Sequence, residues 1–295
     1  MKKIFSVLLI LCLFSSIYAI EPIDETVVQE GLNEFVTGLA DSAPALTSMT
    51  NVWADAYVGQ LIALPPSIGL GGSAGVSKLD IRGIKKAATE LGIPAVDKLK
   101  DDFVLPVVSV DAVLGGLLIP FDISGSYMKL KDPVGISGDN ALQYRFDVVS
   151  AKLRVPLLKQ NIILPNLALG VGFSRVSGDF LVKLDETFLN ATFKSDVFSA
   201  DLQLSKSVIF LTPYIGARVL VSKSENTWEY NYNVQDILKN DAKGMFVTDP
   251  EKKDIDYQLF AGTSFNILVI KLNVNVAYDI KTKLWAGGIG AHVVL

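Results

Sequence analysis

The chain has 295 residues, with 27 basic and 31 acidic side chains, one His and one Cys, and half of its residues are apolar. A net charge of −4 gives no electrostatic basis for nucleic-acid binding, and the apolar fraction excludes intrinsic disorder. A single Cys and a single His exclude a thiol framework, a cysteine-ligated metal and a multi-histidine zinc site, and no cofactor motif is present.

Lys2 and Lys3, the apolar run Ile4 to Leu13 and the small residue Ala19 read as a secretory signal peptide over 1–19. The run is too short to span a bilayer. Lipidation at Cys12 is the minor alternative, because Leu11 stands where that motif takes a small residue. Without this leader the basic residues fall to 25 against 31 acidic, the charge becomes −6, and no Cys remains. Such an exported chain is held by burial and hydrogen bonding without disulfides. No later stretch reaches the roughly 18 apolar residues of a membrane-spanning helix.

Residues 20–50 form an N-terminal helical segment. Pro22 and Asp24 open a helix over 22–41, Ile23, Val27, Val28, Leu32, Phe35, Val36 and Leu39 share one face, and Gly38, Ser42 and Pro44 end it. Its apolar stripe needs cover: the segment plugs or gates a lumen or lies in the periplasm, and docking into a barrel mouth is favoured. A second short helix is predicted at Ile84–Leu91, closed by Gly92 and Pro94.

Residues 51–295 alternate with a period of two. At the C-terminus, Ile270, Leu272, Val274, Val276 and Tyr278 interleave with Lys271, Asn273, Asn275, Ala277 and Asp279. Trp285, Ile289, Ala291, Val293 and Leu295 then share one face. The pattern predicts ten strands: 66–78, 105–115, 120–130, 143–157, 164–175, 193–206, 211–223, 255–267, 270–280 and 284–295. Residues 52–62, 178–184 and 226–233 are candidates for more. Adjacent apolar residues at Val148-Val149 suggest a β-bulge. A weak repeat at 62–65, 117–120, 162–165, 209–212 and 267–270 predicts tight turns at one end, with longer connections over 79–104, 131–142, 176–192 and 224–254 at the other. Strands of this length suit a tilted membrane strand of about 9–11 residues better than the usual 5–6 of globular proteins.

A soluble two-layer sandwich also alternates. The small polar face of Gly, Ser and Asn argues instead for an enclosed lumen, since a water-facing surface carries more Lys and Glu. With these features the sequence resembles bacterial outer-membrane β-barrel proteins; Leu295, Val293, Ala291, Ile289 and Trp285 match the arrangement of their C-terminal assembly signal. It is similar to FadL-type channels in carrying an N-terminal helix before the barrel. The resemblance implies an all-β fold, an antiparallel transmembrane barrel of 10–12 strands with an N-terminal amphipathic helix. It also implies contact with outer-membrane lipid and recognition of 284–295 by the barrel-assembly machinery.

The chemistry-bearing residues expected to face the lumen are Arg145, Asp147, Lys152, Arg154, Asp201, Arg218, Asp256 and His292. They read either as a constriction sorting solutes by charge or, preferably, as ion pairs that fill a narrow barrel. His292 lacks a GxSxG elbow or a placed Ser partner, so catalysis is disfavoured. The acidic 224–254 stretch lacks calcium-loop spacing. The reading is a non-enzymatic outer-membrane barrel, a passive channel for small solutes or a surface protein. The alternatives are a secreted ligand-binding sandwich and a barrel-borne hydrolase.

Overall fold

The computed structural model describes residues 23–48, 53–54, 67–93, 101–115, 121–132, 141–184, 187–234, 238–247 and 254–295. The expected leader, and the candidate strand at 52–62 apart from Trp53 and Ala54, lie outside the described residues. Two helices, α1 (Glu25–Thr47) and α2 (Arg82–Glu90), accompany eleven described strands. These are β1 (Ser67–Asp80), β2 (Asp102–Gly115), β3 (Asp122–Asp132), β4 (Ala141–Leu158), β5 (Asn166–Leu184), β6 (Thr187–Ser205), β7 (Leu211–Val234), β8 (Leu238–Val247), β9 (Asp254–Ile267), β10 (Ile270–Asp279) and β11 (Trp285–Val294).

All belong to one antiparallel sheet, in which β1 pairs with β2 on one edge and β11 on the other, and the β6–β7 pairing closes the circle. Among the described residues ten strands make the ring, while β8 pairs with Glu225–Val234 of β7 and stands outside it. The structure is a closed barrel. The two-layer alternative is overturned, because Leu70, Val110 and Ile289 are each more than 60% exposed on the outer wall instead of packing on a second sheet.

The turns between β6 and β7 and between β9 and β10 fall where the repeat predicts them, at the end of the barrel where Leu295 lies. We call this the lower end. The repeat units at 62–65 and 117–120 lie outside the described residues. At the upper end two expected connections are strand: β5 and β6 continue through most of 176–192, and β7 runs on to Val234 before β8.

These extensions escape simple alternation because the sidedness of the wall inverts part-way up. On β4 the interior positions Ser150, Lys152 and Arg154 give way above to Val148, Phe146 and Tyr144. The outward positions Leu153, Ala151 and Val149 give way to Asp147 and Arg145. Pairing with β3 and β5 is continuous through this point, so Val148-Val149 is not a bulge; the register shift on β4 lies between Pro156 and Leu158. The adjacent valines mark the level at which the two faces exchange polarity. β5 and β6 switch at the same level, Val176 and Val197 inside above Ser174 and Ser199, and Arg175 and Asp196 outside above Phe173 and Phe198. A collar of outward aromatics, Tyr127, Phe173, Phe198, Tyr257, Tyr278 and Trp285, sits at this level, with Phe173 and Phe198 paired at 5.0 Å and Tyr278 and Trp285 at 4.4 Å.

The upper interior is apolar because it holds α1. Asp24 caps the helix, accepting from Thr26 N at 2.9 Å. Val28, Leu32, Phe35, Val36, Leu39, Ala43 and Leu46 are buried at helical spacing. Phe35 meets the edge of Phe180 at 5.0 Å, and Trp228 Nε1 donates to Asn33 Oδ1 at 3.1 Å. The helix passes Pro44 and ends at Thr47, several residues beyond the expected stop. Proline removes one backbone donor, and burial of Ala43, Ala45 and Leu46 against the wall holds the last turn regardless. Across its upper end α1 crosses α2 at Gly31 and Gly83, where a Cβ on Gly31 would stand 2.7 Å from the Gly83 carbonyl oxygen. Asp80 accepts from Arg82 N at 3.0 Å at the start of α2. The Arg82 side chain bonded to Asp80 holds this carboxyl below the usual carboxylate range.

Candidate functional site

Below α1 the chain continues inside the lower lumen as Trp53 and Ala54. Arg154 points inward from β4 and meets Asp122 of β3 through two contacts of 2.9 Å. Its Nη1 donates to the Trp53 carbonyl at 3.1 Å. Gln203 of β6 donates from Nε2 to the same carbonyl at 2.9 Å and to that of Ala54 at 2.8 Å. The Trp53 ring lies over His292 of β11, centroids 4.2 Å apart.

His292 is buried between polar partners. Its Nε2 faces Asp111 Oδ2 at 3.3 Å and its Nδ1 faces the Asn273 amide nitrogen at 2.9 Å. With Nε2–H donated to the carboxylate, Nδ1 is left to accept from Asn273. Asp111 also accepts from Ser73 Oγ at 2.5 Å and Ser109 Oγ at 3.0 Å. Both serines therefore bond the acid, not the imidazole, and Trp53 covers the ring; the order of a Ser–His–Asp relay is not present in this cluster. Room for the imidazole comes from Gly71, where an added Cβ would collide with the Ala291 carbonyl oxygen and His292 Cδ2. Gly71→Val is accordingly expected to prevent closure of the β1–β11 seam, read as loss of the heat-modifiable band of a folded barrel on gels. A normal band would show that the cradle is not needed.

The remaining candidates divide clearly. Lys152 pairs with Asp201 at 2.8 Å, and Arg218 reaches Gln258 at 3.3 Å and lies over the Phe260 ring at 5.0 Å. Asp256 points inward beneath Lys281, 3.8 Å away, and Lys281 stands 3.7 Å from Asp41 of α1. Arg145 and Asp147 do not face the lumen. They lie on the outer wall above the aromatic collar, where Arg145 stands 3.8 Å from Asp179 and Asp147 accepts from Tyr127 Oη at 3.3 Å. The reason is the inversion: at their height the interior is taken by Tyr144, Phe146 and α1.

A cavity of about 20 Å³ lies between Thr47 at the end of α1 and Ser150, Lys152 and Arg218 of the wall, room for about one water. Among the described residues no group of three or more His, Cys, Asp or Glu side chains is arranged to hold a metal. Sequence reasoning missed Trp53 and Gln203 as partners, because neither lies in a motif and the fold alone unites residues 149 or 150 positions apart.

No protein-family model matches the chain, and no curated protein matches it. Among solved structures it is similar to the translocator domain of autotransporter NalP from Neisseria meningitidis, at 7% identity and a TM-score of 0.45, over 90% of this chain and 98% of that one. The outer membrane protease OmpT from Escherichia coli follows at 9% and 0.41, covering 78% and 94%. The toluene transporter TodX of P. putida gives 9% and 0.26, covering 78% and 88%. The chain folds as a closed antiparallel β-barrel.

Proposed function

We propose that this chain is an integral outer-membrane β-barrel of a double-membraned bacterium, non-enzymatic and closed at rest by its own N-terminal helix. It acts at the cell surface through the wall that rises above the membrane. The observation that carries this reading is the paired inversion at the aromatic collar. Below it the outer wall is continuously apolar, with Leu70, Val110, Phe198, Ile215, Leu259 and Ile289 all well exposed, far more than a soluble monomer leaves open to water. Above it the outer wall is charged and the inside holds a helix. A bilayer covers the first zone, and water surrounds the second. The end carrying Leu295 then faces the periplasm, with 284–295 the strand read by the assembly machinery.

A channel for small solutes is the second reading, favoured by the small polar residues of the lower lumen. It requires the Trp53–Ala54 strap and α1, both held against inward-facing side chains of the wall, to move. The refolded full chain in planar bilayers is expected to pass no steady ion current; a steady current from the unaltered protein overturns closure. Recovery of the protein in the aqueous periplasm without detergent overturns the membrane assignment.

A further inference from the structure

Short turns that face water normally carry Gly, Asn, Asp or Ser. At the lower end of this barrel the tips of three described turns are apolar instead. The turn between β4 and β5 presents Ile162 and Ile163, the β6–β7 turn Ile209 and Phe210, and the β9–β10 turn Leu268 and Val269. Ile162, Ile209 and Leu268 are 96%, 94% and 98% exposed. Two of these turns also break a local rule. Ile209 and Leu268 each hold a φ of 54° at the first position of a two-residue hairpin, where Gly is the default and a β-branched side chain is a genuine outlier. Two separate hairpins thus accept backbone strain to keep an aliphatic at the tip.

The turn backbones are also served from within the protein. Asn161 Oδ1 accepts from the Ile163 and Leu164 N–H groups at 2.8 and 2.7 Å, and Lys206 Nζ donates to the Ile162 and Ile163 carbonyls at 2.9 and 3.0 Å. Phe210 O accepts from Asn266 N at 2.7 Å, and Val269 O accepts from Val294 N at 2.8 Å. Internal partners of this kind are what a segment leaving water needs.

The height of the apolar wall points to the same medium. Ile209 and Leu268 lie eleven residues along the chain from the collar residues Phe198 and Tyr257. At about 3.3 Å per residue and a strand tilt of about 40°, that is roughly 28 Å, against the apolar band of about 25 Å of outer-membrane barrels. By the same measure the ten residues from Tyr257 to the strand end Ile267 span about 25 Å, so the turn tips fall at the lower boundary of that band.

We infer that the lower turn tips are immersed in the periplasmic-leaflet lipid, Ile162, Ile209 and Leu268 anchoring the barrel at the acyl–headgroup boundary. The inference rests on the outer-membrane reading, and lipid is the occupant because the exposed aliphatic tips continue the apolar wall, while the Lys206 ammonium is turned onto the Ile162 and Ile163 carbonyls.

The test uses the full chain carrying Cys12→Ser, with single cysteines at Ile162, Ile209 or Leu268, each labelled with an environment-sensitive fluorophore and reconstituted in phosphatidylcholine–phosphatidylglycerol vesicles. Val110→Cys reports the wall and Asp179→Cys the water-facing extension. The tips are expected to be quenched by nitroxide-labelled lipid and shielded from iodide several-fold relative to Asp179→Cys. Iodide quenching equal to Asp179→Cys, with Val110→Cys still quenched by lipid, overturns the immersion and leaves the membrane reading intact. Absence of lipid quenching at Val110→Cys removes the membrane reading and this inference with it. Tips shielded in isolated outer membranes but open to iodide in pure lipid vesicles would assign them to a protein partner and overturn the lipid.

Discussion

Arg154→Ala is expected to destabilise the barrel by about 3–5 kcal/mol, the usual cost of removing one partner from a buried ion pair. Arg154 and Asp122 are each only 2% exposed. Taking away the guanidinium leaves the Asp122 carboxylate buried without the Arg154 charge, and removes one donor from the Trp53 carbonyl, on which Gln203 remains. The paired replacement Asp122→Asn with Arg154→Met is expected to cost much less, since it leaves no lone buried charge. Urea unfolding in micelles, followed by tryptophan fluorescence, measures both. Equal losses in the single and the paired variant would show that packing volume, not charge pairing, is what Arg154 supplies. The same variants in planar bilayers report on closure: current in Arg154→Ala but not in the native chain would identify this contact as the hold on the strap.

Phe35→Ala is expected to cost a further comparable amount, about 3–5 kcal/mol, through the cavity left in a packed interior. Phe35 is 1% exposed and meets Phe180, which in turn lies 5.3 Å from Phe146 and 6.0 Å from Tyr144. This aromatic group is where α1 grips the upper wall. Its loss should appear as faster hydrogen exchange over 25–47, with the lower strands unchanged. Glu34→Ala, one position earlier on the exposed side of the same helix, should stay within about 0.5 kcal/mol of the native chain. Similar losses from both substitutions would mean that α1 is held by something other than its apolar face.

The apolar stripe of α1 was readable from spacing alone, since Val28, Leu32, Phe35, Val36 and Leu39 return every three or four residues whatever covers them. Alternation likewise marked the strands below the collar, where one face meets a polar interior and the other an apolar surround. The pattern misled at 143–157: apolar Phe146 and apolar Val149 both obey a period of two, but on opposite faces, and a local reading takes that for an inserted residue. The same local reading places Arg145 and Asp147 on the lumen side. The network of His292 was legible only in part. Its position on the polar face of β11 followed from alternation, while Asp111, Asn273 and the Trp53 cover come from three other segments of the chain.

Chemical type and periodicity along the chain by themselves determined the strands of the lower wall, the amphipathic helix and the polar character of the lower interior, because each depends only on near neighbours. Tertiary structure decided which face looks inward at each height and what occupies the axis. Inside and outside exist only once the ring closes, and the upper interior became apolar only because a helix from before the first strand was enclosed within it.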